Sequence, residues 1–242
     1  MSDILKITDL VKTFGGLKAV DRISFNVPEG AVWGLIGPNG AGKTTLFNLI
    51  TGTYPPSSGS IVYDGREIAG IKPHVACQKG IGRTFQVTKP FSASSVFENV
   101  LIASFSKHPT RKMATEKAKE IIELVRLEEK SQILAKHLTL IDTKLLEVAR
   151  ALAIEPKLLL LDEVMAGLND SEINEAFALI DRIKHKKLTI VVIEHIFKVI
   201  LEITSQVIVL DQGKKIAEGR PRDVIEDERV LKAYFGEDYA FA

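Results

Sequence analysis

The sequence predicts an α/β fold that starts with an antiparallel sheet and contains an inserted helical segment. The apolar run at residues 31–36 is followed by a glycine-rich loop and a helix-forming stretch, which is the strand–loop–helix order of a parallel sheet. Further apolar runs at residues 158–161 and 189–193 alternate with helical patterns. Residues 5–11 and 21–27 instead alternate apolar and polar side chains, which predicts a half-solvated antiparallel pair.

The glycine-rich loop has the form G-x-x-x-x-G-K-[ST] of a phosphate-binding loop. Its glycines allow successive backbone N–H groups to point inward, so the loop and the following helix form a positive concavity for a polyphosphate. In such a loop Lys43 reaches the β- and γ-phosphates, and the Thr44 hydroxyl binds the Mg²⁺ that bridges them. The predicted nucleotide contacts in the loop are Gly37, Pro38, Asn39, Gly40, Ala41, Gly42, Lys43, Thr44 and Thr45.

Two acidic residues, Asp162 and Glu163, directly follow the apolar run at residues 158–161. The carboxyl end of a parallel strand is where open α/β sheets bind ligands. Asp162 suits Mg²⁺, and Glu163 could polarise a water molecule that attacks the γ-phosphate. In isolation the two acids could equally be solvated residues at the end of a strand. After a phosphate loop in the same chain, they predict an ATP hydrolysis site.

Composition restricts the class of protein. A chain of 242 residues with 45% hydrophobic residues can bury a core without crosslinks. Lys and Arg (32) nearly balance Asp and Glu (31), so the net charge gives no reason to expect nucleic acid as a partner. The single Cys77 excludes an intrachain disulfide and fits a reducing compartment. No apolar run approaches the ~18 residues of a membrane span, so we expect any membrane role to be peripheral.

The stretch from about residue 90 to residue 154 has the pattern of helices. Ser95 and Glu98 have the spacing of a capping box. We therefore predict a helical subdomain at about residues 90–154, inserted within a single domain at residues 4–237.

A further helix is predicted between the strands at 158–161 and 189–193. We expect its N-terminal cap near Asp170 or Ser171. The expected buried face consists of Ile173, Ala176, Phe177, Ile180 and Ile183.

These motifs resemble a known family, the ATP-binding subunits of ABC transporters, over essentially the whole chain. The resemblance rests on the order of short motifs. After the phosphate loop come Arg83-Thr84-Phe85-Gln86, Asp162-Glu163, Ala166-Gly167-Leu168-Asn169 and Ile193-Glu194-His195. The family implies a P-loop (RecA-like) ATPase core with an antiparallel β-subdomain and an inserted α-helical subdomain. It also implies ATP and Mg²⁺ as ligands.

The resemblance implies roles for residues outside the loop. Phe14 would stack on adenine, and Val20 would contact the nucleotide nearby. Gln86 would bind Mg²⁺ or its water, and His195 would contact the γ-phosphate and orient Glu163. The implied catalytic residues are Lys43, Glu163 and His195. The implied metal ligands are Thr44, Gln86 and Asp162.

Other phrases are similar to those of the branched-chain amino acid importer ATPases, including Leu145-Leu146-Glu147-Val148-Ala149-Arg150 and the ending Lys232-Ala233-Tyr234-Phe235-Gly236. This implies a subunit that powers import of branched-chain or other amino acids from the cytoplasmic face of the cell membrane. Its partners would be a second ABC ATPase subunit, identical or different, two membrane permeases and, indirectly, a solute-binding protein. Two alternatives stay open: a nucleotide-sensing half of a heterodimer with low turnover, and a non-transport ABC ATPase.

One motif departs from the family. Where the family has the signature Leu-Ser-Gly-Gly-Gln, this chain has Leu138, Thr139, Leu140, Ile141 and Asp142. In the family the signature clasps the γ-phosphate that the other subunit binds. Ile141 replaces a glycine that allows close backbone approach, and Asp142 adds a negative charge near an anion, so we expect poor hydrolysis at the site that uses it. The alternative is that Asp142 or Thr143 is only the N-cap of the next helix.

Overall fold

The computed structural model describes residues 2–86, 89–184 and 188–236. The strands are β1 (Asp3–Phe14), β2 (Leu17–Pro28), β3 (Val32–Ile36), β4 (Ser58–Tyr63), β5 (Arg66–Glu67), β6 (Ile81–Arg83), β7 (Leu158–Asp162), β8 (Thr189–Ile193), β9 (Gln206–Asp211) and β10 (Lys214–Gly219). The helices are α1 (Lys43–Ile50), α2 (Pro73–Gln78), α3 (Val96–Ser104), α4 (Arg111–Leu124), α5 (Leu140–Leu152), α6 (Asp170–Lys184), α7 (Phe197–Ile203), α8 (Pro221–Ile225) and α9 (Glu228–Phe235). Short 3₁₀ helices at Glu128–Lys130 and Ala135–His137 precede α5.

The chain divides into two compact units. The first combines residues 2–76 with residues 189–236, and the second comprises residues 77–188. That residues 4–237 act as a single domain stays a prediction.

The first unit contains an antiparallel sheet in the order β2-β1-β4-β5. The predicted antiparallel pair is confirmed, but β1 and β2 are longer than the alternating patterns indicate. Register shifts such as the one between Ile7 and Leu10 let the ladder continue as far as the turn at Gly15.

The first unit also contains strands in the order β10-β9-β3-β8. The central strand β3 is parallel to both β8 and β9, while β10 returns antiparallel to β9. All of β3 is buried, as expected of a parallel strand covered on both faces. The phosphate loop therefore starts at the end of a rigid strand.

In the second unit β6 and β7 pair in parallel, with Ile81 opposite Leu158. Helices α3, α4 and α5 all lie within residues 90–154, where the sequence predicts helix. The predicted capping box is confirmed, because the Ser95 hydroxyl accepts the Glu98 N–H and the Glu98 carboxylate accepts the Ser95 N–H. Among the described residues, no helix has the length and apolar character needed to cross a membrane.

Helix α6 begins at Asp170, near the predicted cap, but the cap residue itself is neither of the two candidates. Asn169 is the cap, because its side-chain oxygen accepts the N–H groups of Ser171 and Glu172, and the Glu172 carboxylate accepts the Asn169 N–H. The buried face is also rotated from the predicted one. Leu179 is buried with Ala176, Ile180 and Ile183, whereas Ile173 and Phe177 are only half-buried. The physical reason is that the face packed on the core runs through positions 176, 179, 180 and 183, and 173 and 177 lie at its edge.

Candidate nucleotide-binding site

The predicted site residues are divided between the two units. The first unit carries Phe14, Val20, the loop at residues 37–45 and His195. The second carries Gln86, Asp162, Glu163 and the signature segment at residues 138–142. That these residues surround one nucleotide stays a prediction.

The phosphate loop runs from the end of β3 to the start of α1 and requires glycine at Gly37 and Gly42. Both have positive φ, 146° and 104°. A Cβ on Gly37 would lie 2.0 Å from the carbonyl oxygen of Leu210, and one on Gly42 would lie 2.3 Å from that of Ala19. The loop is therefore packed so closely between other backbone segments that a side chain at either position would displace them.

Lys43 is the first residue of α1 and is only 5% exposed. Its ammonium group donates to the carbonyl oxygens of Gly37 (2.7 Å) and Pro38 (2.9 Å), so the side chain folds back over the loop. Thr44 and Thr45 are half-buried on the same helical turn. The loop thus places an ammonium group and a hydroxyl at a helix N-terminus, where the helix dipole favours a bound anion.

Phe14 ends β1 and is 41% exposed. Its ring packs edge-to-face against Tyr54, with the centroids 5.2 Å apart, and the Lys12 ammonium lies 4.9 Å from the Phe14 centroid. The exposed part of the ring is consistent with stacking on a base. Tyr54 was not predicted as a neighbour of Phe14.

The remaining predicted contacts in the first unit differ in exposure. Val20 is fully buried on β2, so its side chain has no open face in this conformation. His195 is exposed between β8 and α7. The roles of both residues at a nucleotide stay predictions.

Asp162, at the end of β7, is 1% exposed. Arg83 of β6 donates to its Oδ2 at 3.0 Å, and the Thr84 hydroxyl accepts the Asp162 N–H at 2.9 Å. Burial lowers the pKa of Arg83, and its attraction to Asp162 offsets part of that change. Because a guanidinium normally titrates far above neutral pH, Arg83 stays charged and holds the carboxylate in one orientation.

Glu163 follows in the left-handed region, with φ 53°. Such a conformation is uncommon for a residue with a side chain and is maintained by its surroundings. The Gln86 amide donates to the Glu163 carboxylate at 2.9 Å, and the Lys144 ammonium donates to the Glu163 carbonyl at 3.0 Å. The structure thus brings together two predicted site residues and holds one of them at both backbone and side chain.

Helix α5 supports this part of the site through two charged residues one turn apart. Lys144 holds the Glu163 carbonyl, and the Glu147 carboxylate accepts the N–H of Phe85, next to Gln86, at 3.1 Å. Burial raises the pKa of Glu147, and the bond from Phe85 counteracts part of that rise. Arg83, Lys144 and Glu147 were not predicted as site residues. For Lys144 and Glu147 the available signal was charged side chains on an otherwise apolar face of α5.

The signature segment forms the start of α5. Thr139 is the N-cap, because its hydroxyl accepts the Asp142 N–H, and the hydroxyl also donates to the Asp142 carboxylate at 2.6 Å. The alternative with Asp142 or Thr143 as the N-cap is therefore wrong. The Lys130 ammonium donates to both carboxylate oxygens of Asp142, at 2.6 and 2.7 Å. Burial by itself raises the pKa of Asp142, but the bonds from Lys130 and Thr139 outweigh it and the pKa lies below its usual range.

The two residues in the glycine positions of the signature point in different directions. Ile141 is 9% exposed and lines a small apolar cavity of about 20 Å³ with Val164 and Leu179. Leu140 is 50% exposed. The helical period turns Ile141 inward, so Leu140 rather than Ile141 is the exposed side chain at the glycine positions of the signature.

Replacing Lys130 with Met is expected to destabilise the protein by about 1–2 kcal/mol at pH 7, since it leaves Asp142 as an unpaired buried carboxylate. The loss is smaller than for a fully buried pair because the Lys130 side chain is 42% exposed. Since Asp142 has a lowered pKa in the folded state, the pair stabilises the protein above the ordinary Asp pKa, and this contribution disappears as the pH falls through the folded value. Urea unfolding of the wild type and the variant, at pH 7 and at a pH below the folded-state pKa of Asp142, measures this loss of stability. Lys136→Met, at an exposed lysine nearby, is the control; equal losses in the two variants would contradict the assignment.

Family comparisons agree with these motifs. A family model described as ABC transporter matches residues 20–166. A second, described as branched-chain amino acid ATP-binding cassette transporter, matches residues 214–240.

Curated relatives align along nearly the whole chain. A high-affinity branched-chain amino acid transport ATP-binding protein of Pseudomonas aeruginosa is 37% identical, over 97% of this chain and 98% of the relative. A probable branched-chain amino acid transport ATP-binding protein of Archaeoglobus fulgidus is 34% identical, over 96% and 95%. The lipopolysaccharide export system ATP-binding protein of Haemophilus influenzae is 33% identical, over 98% of both.

Solved structures confirm the fold. A nucleotide-free ATP-binding cassette from an ABC transporter superposes with a TM-score of 0.89 at 32% identity, covering 98% of this chain and 100% of the other. A cassette solved in its ADP conformation gives a TM-score of 0.89 at 33% identity, with the same coverage. The chain therefore belongs to the ABC transporter family and is one of its ATP-binding, ATP-hydrolysing subunits.

Proposed function

We propose that this subunit powers an importer of branched-chain or related amino acids through Mg-ATP-driven closure of an ATPase dimer. The observation that carries this proposal is the match of residues 214–240 to the branched-chain amino acid cassette model. Relatives with amino acid transport in their names support it. Overall identity alone is a weaker argument, because the lipopolysaccharide export relative is nearly as similar.

In the proposed reaction Lys43 and the loop N–H groups bind the phosphates, and Phe14 stacks on adenine. Glu163 accepts a proton from the water that attacks the γ-phosphate, with His195 orienting it. The bonds from Gln86 and Lys144 to Glu163 support this role, since they fix the carboxylate and the backbone before the substrate arrives.

The donor set also fits Mg²⁺. Within the described ranges no group of three or more His, Cys, Asp or Glu side chains forms a metal site. In nucleotide sites one or two protein oxygens and the substrate phosphates usually hold Mg²⁺, so a complete protein cage is not needed. Thr44 and Asp162 would supply those oxygens, Gln86 would act on the metal or its water, and the ion would neutralise phosphate charge.

The proposed assembly has two different ATPase subunits. The loop, Asp162, Glu163 and His195 of this chain would form a competent site with the standard signature of a sister subunit. The altered signature of this chain would complete a second site poorly or not at all. Two membrane permeases at the inner face of the cell membrane, served by a solute-binding protein, would complete the transporter.

One observation favours a second candidate function, the nucleotide-sensing half of a heterodimer with low turnover. The Thr139 hydroxyl and the Asp142 carboxylate bond to one another, and Asp142 is neutralised by Lys130. A signature satisfied internally in this way suits a subunit whose second site binds nucleotide without hydrolysing it.

Deleting the gene is expected to abolish high-affinity uptake of radiolabelled leucine, isoleucine and valine by the cells that express it. The wild-type gene should restore uptake, and a Lys43→Ala gene should not, because its product lacks the ammonium group that binds the phosphates. Unchanged uptake of all three amino acids in the deletion strain would contradict the importer assignment.

A further inference from the structure

The start of the phosphate loop is held by the last helix of the chain. The Gly37 N–H donates to the Tyr234 hydroxyl at 2.7 Å. Tyr234 lies half-buried in the last turn of α9. Burial raises the pKa of Tyr234 to about 12, although the bond from Gly37 lowers it slightly. The phenol therefore keeps its proton at neutral pH, and its oxygen acts as a neutral acceptor.

The ring of Tyr234 makes a second contact. It packs against Phe197, with ring centroids 5.1 Å apart and an interplanar angle of 60°. Phe197 is the first residue of α7, and His195 lies two residues before it. Val230, 1% exposed, packs α9 into the same unit. The Tyr234 side chain thus contacts the phosphate loop through its hydroxyl and the start of α7 through its ring.

Two more residues near the C-terminus contact the loop. The Leu210 carbonyl is the atom that excludes a Cβ from Gly37. The Gly213 N–H donates to the Ala41 carbonyl at 3.1 Å. Tyr234 therefore adds a third contact to those that β9 and the turn after it make with the loop backbone.

We propose that Tyr234 is a positioning residue for nucleotide binding: it holds the start of the phosphate loop and the start of α7 in the arrangement that receives the nucleotide. The inference rests on the binding of ATP by this loop. Tyr234 need not touch the nucleotide, because it acts through the Gly37 backbone.

The physical reason is the entropy of a glycine-rich loop. Glycine loses more backbone freedom on ordering than any other residue, and Gly37 is held at φ 146°. A bond that orders the loop before the nucleotide arrives removes part of this cost from binding. Since the bond orders the loop backbone and is not itself a contact with the γ-phosphate, it should favour ATP and ADP equally.

The test is Tyr234→Phe, which keeps the ring beside Phe197 and removes the acceptor. We expect the affinities for ATP and ADP to fall together by roughly tenfold. At saturating ATP, kcat in the assembled complex should change less than about twofold. The variant loses an interaction that stabilises the bound substrate and the transition state equally. Calorimetry of both nucleotides and steady-state kinetics measure the two quantities. Tyr63→Phe, which removes the hydroxyl of a buried tyrosine on β4, is the matched control and should bind both nucleotides normally.

Several outcomes would overturn the inference. A folded Tyr234→Phe variant with wild-type affinity for both nucleotides would do so, as would a loss confined to ATP. If the variant does not fold, hydrogen exchange at the Gly37 amide of the wild-type chain decides instead: a protected amide supports the anchor, and a freely exchanging amide excludes it. Failure of the wild-type chain to bind ATP would contradict the proposed function rather than the role of Tyr234.

Discussion

Replacing Glu163 with Gln is expected to lower ATP hydrolysis by about 10²- to 10⁴-fold and to leave ATP binding intact. The amide cannot accept the proton of the attacking water. It can still accept the hydrogen bond from Gln86, and the Lys144 bond to the backbone carbonyl does not depend on the side chain. The site should therefore keep its shape and trap ATP in a closed dimer. Steady-state phosphate release and size-exclusion chromatography with ATP, in the presence of the sister subunit, measure both effects.

Glu172→Gln is the matched control for this prediction. Glu172 lies in the first turn of α6, and its carboxylate accepts the Asn169 N–H, a bond that a glutamine oxygen can also accept. This variant should hydrolyse ATP at the wild-type rate. If Glu163→Gln changed neither turnover nor dimer association, the low-turnover sensing function would be favoured over the transport motor.

The second large effect expected is dependence on a sister subunit: the chain alone should hydrolyse ATP about 100-fold more slowly than the pair. In a homodimer each γ-phosphate would face the segment from Thr139 to Asp142. There the Thr139 hydroxyl already donates to Asp142, and Leu140 presents an exposed apolar side chain. In a homodimer the hydroxyl that a standard signature directs at the γ-phosphate would therefore already be used within the segment.

The parts of the site that the sequence predicts well are local in the chain. The glycines, Lys43 and Thr44 form one continuous motif, and Asp162 and Glu163 directly follow an apolar strand. Neighbours in sequence are sufficient to place these side chains on a loop or at a strand end. The resemblance to a family then supplied the roles of residues that single-sequence patterns leave ambiguous, such as His195.

The supporting contacts were missed because they join residues far apart in sequence. Arg83 and Asp162 are separated by 79 positions, and Gly37 and Tyr234 by 197. No periodic pattern encodes such pairs, since tertiary packing alone brings them together. At the signature, the sequence predicted an unfavourable charge at Asp142 but could not show that Lys130, 12 residues earlier, neutralises it. The inward direction of Ile141 likewise follows from where α5 starts, which sequence patterns locate less reliably than the helix itself.

We propose that this chain supplies one competent ATP site that needs the signature of another subunit. The most direct test is the steady-state rate of ATP hydrolysis by the purified chain, alone and mixed with a sister ATPase subunit that carries Leu-Ser-Gly-Gly-Gln. Hydrolysis should be slow for the chain alone, should rise strongly on mixing, and should be lost when the mixed sample contains Glu163→Gln in this chain. Brisk hydrolysis by the chain alone, at a rate that the sister subunit does not increase, would contradict the claim.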